Sequence, residues 1–283
     1  MNATEFVGYE TNLSSSTVTA IVKDGERITQ AVQGDHVEIV LDLTPFYAEG
    51  GGQVGDVGRL EWTHGAAAVS GTHKTSSGVF VHSAQVLRGR LEVGMDVEAV
   101  VEYGVRNATE RHHTATHLLQ AALRATLGSH VQQKGSLVAP DRLRFDFTHN
   151  EAVKPEELRR IEALVNRWIQ ADFPVTYELM SLEDARKTGA MALFGEKYGD
   201  TVRVVSVDGS VSSVGILDSA LEVSSKELCG GTHVTSTGRI GSFVITSEEG
   251  TAAGIRRLEA LCGEEAVRFV RDSLERTQAA ARA

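Results

Sequence analysis

The stretch that decides the fold of the longer part of this chain is Arg111-His-His-Thr-Ala-Thr-His-Leu-Leu119, with the residues that follow it. Apolar side chains recur there at helical spacing: Ala115, Leu118, Leu119, Ala122, Leu123 and Leu127. Asn107 or Thr109 can cap the start of a helix, and Gly128 ends it. The sequence therefore predicts an amphipathic helix that ends at about residue 127.

Strands and one further helix are predicted after this helix. A hairpin spans residues 131–138 and 143–147, and Pro155 stands where the next helix begins. That helix has an apolar face made of Leu158, Ile161, Leu164, Val165, Trp168 and Ile169. Further strands are predicted at residues 175–179, 202–207 and 240–246. We assign residues 104–262 to an α+β domain and residues 263–283 to a terminal helix that starts a longer region.

Residues 1–103 are dominated by short strands. These segments are rich in β-branched residues and separated by Gly, Asp and Asn turns: residues 18–22, 37–43, 67–70, 79–82 and 97–101. Their spacing predicts a small antiparallel barrel or sandwich. Residues 48–58 are too rich in glycine for a strand interior and predict a loop that can approach another group closely. No Gly-Lys-Ser/Thr follows, so this is not a Walker phosphate loop.

Composition excludes several classes. The 283 residues are 41% hydrophobic, which is enough for a sizeable core and excludes a disordered or fibrous chain. No run approaches the ~20 apolar residues of a membrane span, and the first residues do not resemble a secretory signal. The two cysteines, Cys229 and Cys262, fit a reducing compartment, so we expect a cytoplasmic protein.

The net charge of −10 argues against non-specific nucleic-acid binding, which relies on basic surface. Residues 104–146 are locally basic, however, with six cations against three acids. The cations are Arg106, Arg111, Arg124, Lys134, Arg142 and Arg144. This excess fits either a solvated helix and hairpin or a face that contacts phosphates.

Two pairs of metal-ligating side chains stand out. His113 and His117 are four residues apart on one helical face, and Cys229 and His233 repeat that spacing in a Gly-rich segment. A thiolate with imidazoles is the chemistry of a tetrahedral zinc site. A zincin protease is excluded because residue 114 is Thr rather than Glu. His112 is about 100° away on the helix, so we expect it at the surface.

These residues belong to longer motifs that resemble the editing domain of alanyl-tRNA synthetase with its preceding β-barrel. The motifs are residues 44–56, 111–119, 131–137, 143–147, 190–199, 227–233 and 254–259. Free-standing alanyl-tRNA editing proteins share them, whereas the threonyl-tRNA synthetase editing domain shares only the His and Cys pairs and little else. Gly50 and His112 differ from the residues common in the family, and neither is a predicted ligand.

The resemblance implies a hydrolase that deacylates tRNA(Ala) mischarged with serine or glycine. It implies Zn²⁺ at His113, His117 and His233, with Cys229 as the fourth ligand or as a gate beside the metal. Thr116 and Gln133 match positions tied to recognition of the serine hydroxyl and to editing. Their alternative roles are a helix Thr bonded to its own backbone and a solvated strand Gln.

The resemblance also implies contacts with the acceptor end of tRNA(Ala). Gly51, Gly52 and Gln53 would border it. Arg111, Lys134 and Arg144 are candidate phosphate contacts, with structural ion pairing as the alternative for each. Cys262 is expected to be buried.

The family's alanine-activating and tRNA-reading domains have no counterpart in these residues, so we expect no aminoacylation by this chain. We expect an excised, monomeric fragment that works with the rest of the synthetase; a free-standing editor is the alternative origin. Two functional alternatives also stay open. One is a tRNA-binding module braced by zinc without turnover, and the other is an interaction module that has lost editing.

Overall fold

The computed structural model describes residues 3–192, 199–211 and 221–282. The chain divides into two compact units: Met1–Gly50 with Val54–Asn107, and Gly51–Gln53 with Ala108–Ala283. Most of the motif at residues 190–199 lies outside the described residues. Within the described ranges, no helix is both long enough and apolar enough to cross a membrane.

The first unit is made of strands. Their bounds are β1 (Glu5–Phe6), β2 (Leu13–Lys23), β3 (Glu26–Ile28), β4 (Gln30–Val32), β5 (His36–Leu41), β6 (Leu43–Thr44), β7 (Gly58–Trp62), β8 (Gly65–Lys74), β9 (Phe80–Arg88), β10 (Arg90–Glu92) and β11 (Asp96–Val101).

Six of these strands close into an antiparallel barrel in the order β11-β7-β8-β9-β5-β2, and β2 pairs back onto β11. Alternate side chains along each strand point inward and form a core that includes Ile21, Ile39, Leu60 and Val97. The α+β class and the N-terminal barrel are confirmed, and the closed sheet excludes the sandwich. The predicted glycine-rich loop precedes β7. Strand β7 itself was not predicted from the sequence.

A buried ion pair lies within this first unit. Arg106, 1% exposed, donates to both carboxylate oxygens of Asp56 and, at 2.8 Å each, to the carbonyls of Gly8 and Pro45. Arg106 is therefore a structural residue and does not belong to the local basic surface suggested by the residue count.

The second unit mixes helices and strands. Helix α1 (Tyr103–Leu127) begins among first-unit residues. It is followed by β12 (Gln133–Val138), β13 (Leu143–Thr148), α2 (Pro155–Gln170), β14 (Thr176–Ser181), α3 (Leu182–Lys187), β15 (Thr201–Val211), β16 (Leu221–Leu228), a 3-10 turn (Thr237–Ile240), β17 (Phe243–Ala252), β18 (Ile255–Cys262) and α4 (Gly263–Arg282).

Two antiparallel sheets organise this unit, one in the order β12-β13-β18-β17 and the other β14-β15-β16. The apolar faces of α1 and α2 share one core with the first sheet, in which Leu118, Phe145 and Trp168 are almost completely buried. This packing fixes α1, and its remaining face carries the two histidines four residues apart.

Most predicted elements are confirmed, but α3 and β16 were not predicted, and three further differences concern α1, β17 and β18. Helix α1 begins earlier than predicted, at Tyr103. The strand predicted from Ile240 begins only at Phe243, because Ile240 ends the 3-10 turn and Gly241 follows with φ 81°. Strand β18 was not predicted; it pairs with β13 on one side and β17 on the other.

Candidate metal centre

Four side chains from distant parts of the second unit converge. His113 and His117 come from α1, Cys229 directly follows β16, and His233 lies four residues further along the chain. One potential ligand atom from each lies within 4.8 Å of the other three. The sulfur of Cys229 is 3.3 Å from Nε2 of His113 and 3.3 Å from Nε2 of His233.

The donor set fits a zinc ion. Zinc bonds of about 2.3 Å to sulfur and 2.0–2.1 Å to nitrogen in a tetrahedron place S and N ligands about 3.5 Å apart. The two 3.3 Å separations match this spacing. His113, His117 and Cys229 are buried and His233 is half-buried. Burying four polar ligand atoms without a metal ion or another partner would cost free energy.

Gln53 orients His113. It is completely buried, and its side-chain oxygen lies 2.7 Å from Nδ1 of His113 and accepts the backbone N–H of Thr232 at 3.0 Å. Its amide nitrogen donates to the Thr232 hydroxyl at 3.0 Å. Because a carbonyl oxygen only accepts, Nδ1 of His113 must donate to it, which leaves the Nε2 lone pair for a metal.

The other two histidines also have partners at Nδ1. The carboxylate of Glu227 lies 3.1 Å from Nδ1 of His117, at ion-pair distance but without the alignment of a regular hydrogen bond. Glu227 in turn accepts the Ser225 hydroxyl at 3.0 Å. Nδ1 of His233 lies 3.1 Å from the Thr114 hydroxyl. The Nδ1 atoms of the three imidazoles thus contact a side-chain carbonyl, a carboxylate and a hydroxyl, and these contacts orient the rings.

The charges in the cluster favour ligand chemistry at Cys229. Burial raises the pKa of its thiol, but His113 and His233 outweigh this and hold the pKa well below its usual value. Burial lowers the pKa of His233 to about 3. Burial also opposes a charge on His117, but Glu227 and Cys229 raise its pKa to about 10. A metal at His117 would have to displace that proton, so metal binding would weaken as the pH falls.

The loop that carries Cys229 is held in place by Arg203. Its guanidinium donates to the carbonyls of Cys229, at 3.2 Å, and Gly231, at 2.8 Å, and lies over the ring of Tyr177 at 4.3 Å. Gly231 has no room for a side chain, because an added Cβ would lie 2.0 Å from Cε1 of His113. Only glycine lets this loop approach the histidine so closely.

Comparison with known proteins agrees with the resemblance seen in the sequence. Residues 1–105 match the family described as tRNA synthetases class II (A), and residues 202–259 match the threonyl and alanyl tRNA synthetase second additional domain. Over 280 residues the chain is 60% identical to alanine–tRNA ligase from Thermus thermophilus, and over 279 residues it is 53% identical to that from Deinococcus radiodurans. Almost the whole chain is therefore similar to one region of alanyl-tRNA synthetases. Each alignment covers 99% of the chain and 31% of the relative, so the chain spans about a third of their length.

Two residues that the family resemblance ties to editing lie on α1 and β12. Thr116 is buried on α1, and its hydroxyl donates to the carbonyl of His112 at 2.8 Å. The hydroxyl proton therefore makes the bond to the helix backbone that was the alternative role of Thr116. The lone pairs of the hydroxyl oxygen can still accept a hydrogen bond. Gln133 is half-buried at the start of β12, where it pairs with Phe147.

The glycine-rich segment contributes residues 51–53 to the second unit. Gly51 is exposed, whereas Gly52 packs on β12: its carbonyl accepts the N–H of Val138 at 2.7 Å, and an added Cβ would meet the carbonyl oxygen of Ser136 at 2.8 Å. Gln53, which the resemblance also places at the tRNA acceptor end, contacts His113 and Thr232 through its side chain.

The three candidate phosphate contacts lie on different elements. Arg111 is half-buried on α1, and Lys134 is exposed at a bulge in β12. Arg144 on β13 lies 3.7 Å from Asp146, which forms a closer two-pronged pair with Arg257. These positions leave the choice between phosphate binding and structural pairing to experiment.

The expectation for His112 was wrong. It is 1% exposed; its Nδ1 lies 2.9 Å from the carbonyl of Ala108, and its Nε2 accepts the backbone N–H of Cys262 at 3.0 Å. A buried imidazole bonded at both nitrogens joins α1 to β18 and is not a ligand. Cys262 is buried as predicted, and burial raises its thiol pKa.

Sequence reasoning missed the supporting residues Glu227, Thr114, Thr232 and Arg203. One usable signal existed for Glu227, which is an acid two residues before a ligand cysteine. Thr114, inside the His-x-x-x-His motif, was used only to exclude a protease.

Proposed function

We propose that the second unit is an editing hydrolase that cleaves the aminoacyl ester of tRNA(Ala) wrongly charged with serine or glycine. One observation carries the proposal. Residues 202–259 match the threonyl and alanyl tRNA synthetase additional domain, and Cys229 and His233 of that stretch converge with His113 and His117 of α1 at metal-ligand spacing. The alanine–tRNA ligases that it resembles support tRNA(Ala) as the partner.

The physical need for such an activity is clear. A synthetic pocket shaped for alanine cannot exclude the smaller glycine and discriminates only weakly against an added hydroxyl. A second, hydrolytic site removes both products. For the seryl product, it can discriminate against alanine by hydrogen bonding to the serine hydroxyl, because an analogue without that group leaves buried polar partners unpaired.

Zn²⁺ fits the donor set, and His113, His117 and His233 would hold it, with Cys229 as fourth ligand or as a gate beside it. When bound, the ion supplies Lewis-acid charge that polarises an ester carbonyl or a water molecule. Gln53 and Glu227 orient the imidazoles, and Arg203 holds the loop. Thr116 and Gln133 would contact the aminoacyl group.

The nucleic-acid contacts in this proposal come from the resemblance. Three residues of the glycine-rich segment would border the tRNA acceptor end: Gly51, Gly52 and Gln53. Arg111, Lys134 and Arg144 would contact phosphates. Each phosphate contact that is lost should weaken binding and reduce the salt dependence by about one unit of log–log slope.

The wider setting is also part of the proposal. The editing unit would span residues 104–262, act in the cytoplasm as a monomeric fragment, and work with the rest of a synthetase. Aminoacylation is not expected of these residues alone.

A second function has an observation in its favour. All four donor atoms lie close together, and four protein ligands make a closed site of the structural kind. The alternative is therefore a tRNA-binding module that zinc braces without hydrolysis. Cys229→Ser separates the two: a gate residue can be replaced with zinc retained, whereas a fourth structural ligand cannot.

The direct test of the site uses His117→Ala. We expect loss of bound zinc and of Ser-tRNA(Ala) hydrolysis; retention of both would show that the site assignment is wrong. Gln133→Ala tests recognition separately, because it should reduce deacylation more than tRNA binding. Equal losses in the two measurements would exclude a role for Gln133 in the reaction.

A further inference from the structure

Gln120 is a buried polar residue next to the ligand pair that the family resemblance did not single out. It is 5% exposed and follows His117 by three residues on α1. Positions 113, 117 and 120 repeat at i, i+4 and i+7, so their side chains lie along one stripe of the helix. At 1.5 Å per residue, Gln120 is about 4.5 Å further along the axis than His117.

The amide of Gln120 has one end fixed and the other without a partner. Its nitrogen lies 3.4 Å from the sulfur of Met191. A thioether accepts weakly and cannot donate, which favours the NH₂ end at the sulfur. The carbonyl oxygen is buried and has no hydrogen-bond partner among the residues that the structure describes. A buried acceptor of this kind is costly unless something donates to it.

Met191 shows which side of the cluster Gln120 faces. The Met191 backbone bridges to Glu227 in parallel fashion and accepts the N–H of Leu228 at 2.9 Å. The carboxylate of Glu227 lies 3.1 Å from His117. Gln120 thus follows His117 by about one turn on α1, and its side chain contacts the residue that pairs with Glu227, the carboxylate partner of His117.

We propose that Gln120 is a specificity residue whose side-chain oxygen accepts a hydrogen bond from the serine hydroxyl of the mischarged ester. This inference rests on the proposed editing function and names a residue for its substrate recognition. A carbonyl oxygen accepts from a hydroxyl, and of the three aminoacyl groups only the seryl group has one. The α-amino group is common to all three esters, so a hydrogen bond to it would not distinguish them. An alanyl group would leave the oxygen unpaired, and serine would be preferred.

The test is Gln120→Met, which keeps the length of the side chain and removes the acceptor. Thr126→Val is the matched control, because the Thr126 hydroxyl on α1 is also buried and has no hydrogen-bond partner in the described part of the chain, but is not on the ligand stripe. Single-turnover deacylation is measured for Ser-tRNA(Ala) and Gly-tRNA(Ala). Binding is measured by calorimetry with non-hydrolysable 3′-seryl-, 3′-glycyl- and 3′-alanylamido-adenosine. Bound zinc and the thermal midpoint check that each variant is folded.

We expect Gln120→Met to lower seryl deacylation and seryl-analogue affinity about 10-fold, with glycyl values within twofold and Thr126→Val unchanged. Equal losses for seryl and glycyl substrates, or no loss for either, would overturn the inference. If the wild-type chain hydrolyses neither ester, the proposed function fails. The analogues then still judge Gln120, because equal wild-type affinity for the seryl and alanyl analogues would overturn its role.

Discussion

Removing the buried amide of Gln53 is the perturbation that tests the metal centre most quantitatively. Gln53→Leu keeps most of the volume but removes the acceptor shared by Nδ1 of His113, at 2.7 Å, and the N–H of Thr232, at 3.0 Å. Loss of such a supporting partner typically lowers metal affinity 10- to 100-fold, or about 1.4–2.8 kcal/mol. The stranded N–H of Thr232 adds a cost of about 1–3 kcal/mol to the metal-free fold.

The assay for Gln53→Leu is competition for zinc against a chromophoric chelator, with urea unfolding of the metal-free protein alongside. Gln278→Leu serves as the control, because that side chain is exposed on α4. The control should leave zinc affinity unchanged. A folded Gln53→Leu protein that binds zinc within twofold of wild type would refute the argument that Gln53 orients His113.

Three further predictions concern single contacts. Gly231→Ala should lower zinc affinity at least about 10-fold in the same chelator assay, because its Cβ would displace the ring of His113. Asp56→Ala should cost about 3–5 kcal/mol of unfolding free energy in urea, since it strands the buried charge of Arg106; a loss below 1 kcal/mol would contradict this. Burial holds the pKa of His82 at about 4, below its unfolded value of about 6.5. The neutral side chain therefore makes its full contribution to the free energy of unfolding above pH 6.5. This contribution is lost as the pH falls toward 4, by up to about 3 kcal/mol. Urea midpoints across that range should lose this slope in His82→Gln.

The elements that the sequence predicted well are those whose own periodicity matches their burial. Helix α2 begins at Pro155 as predicted, and its apolar face, centred on Leu164 and Trp168, enters the core. Strand β18 was missed because Ile-Arg-Arg-Leu-Glu-Ala-Leu-Cys is rich in helix formers. It is a strand because β13 and β17 flank it on both sides, and pairing of that kind overrides local propensity.

In the candidate site, the ligands could likewise be predicted from the sequence, whereas the residues that support them could not. Spacing alone pointed to the four ligands, since His113 and His117 are one helical turn apart and Cys229 and His233 repeat that interval. The contacts that support the ligands could not be predicted from the sequence, because Gln53 is 60 residues from His113 along the chain. Glu227 reaches His117 only through the placement of β16 against α1. The angular position of His112 on the helix predicted an exposed side chain. In the structure, Nε2 of His112 accepts the backbone N–H of Cys262.

The most direct test of the account is single-turnover deacylation of Ser-tRNA(Ala) beside Ala-tRNA(Ala), with zinc quantified in the same preparation. We expect rapid loss of serine, retention of alanine and one zinc ion for each chain. Equal stability of the two esters with zinc bound and tRNA captured would contradict the hydrolytic proposal and favour the zinc-braced tRNA-binding module.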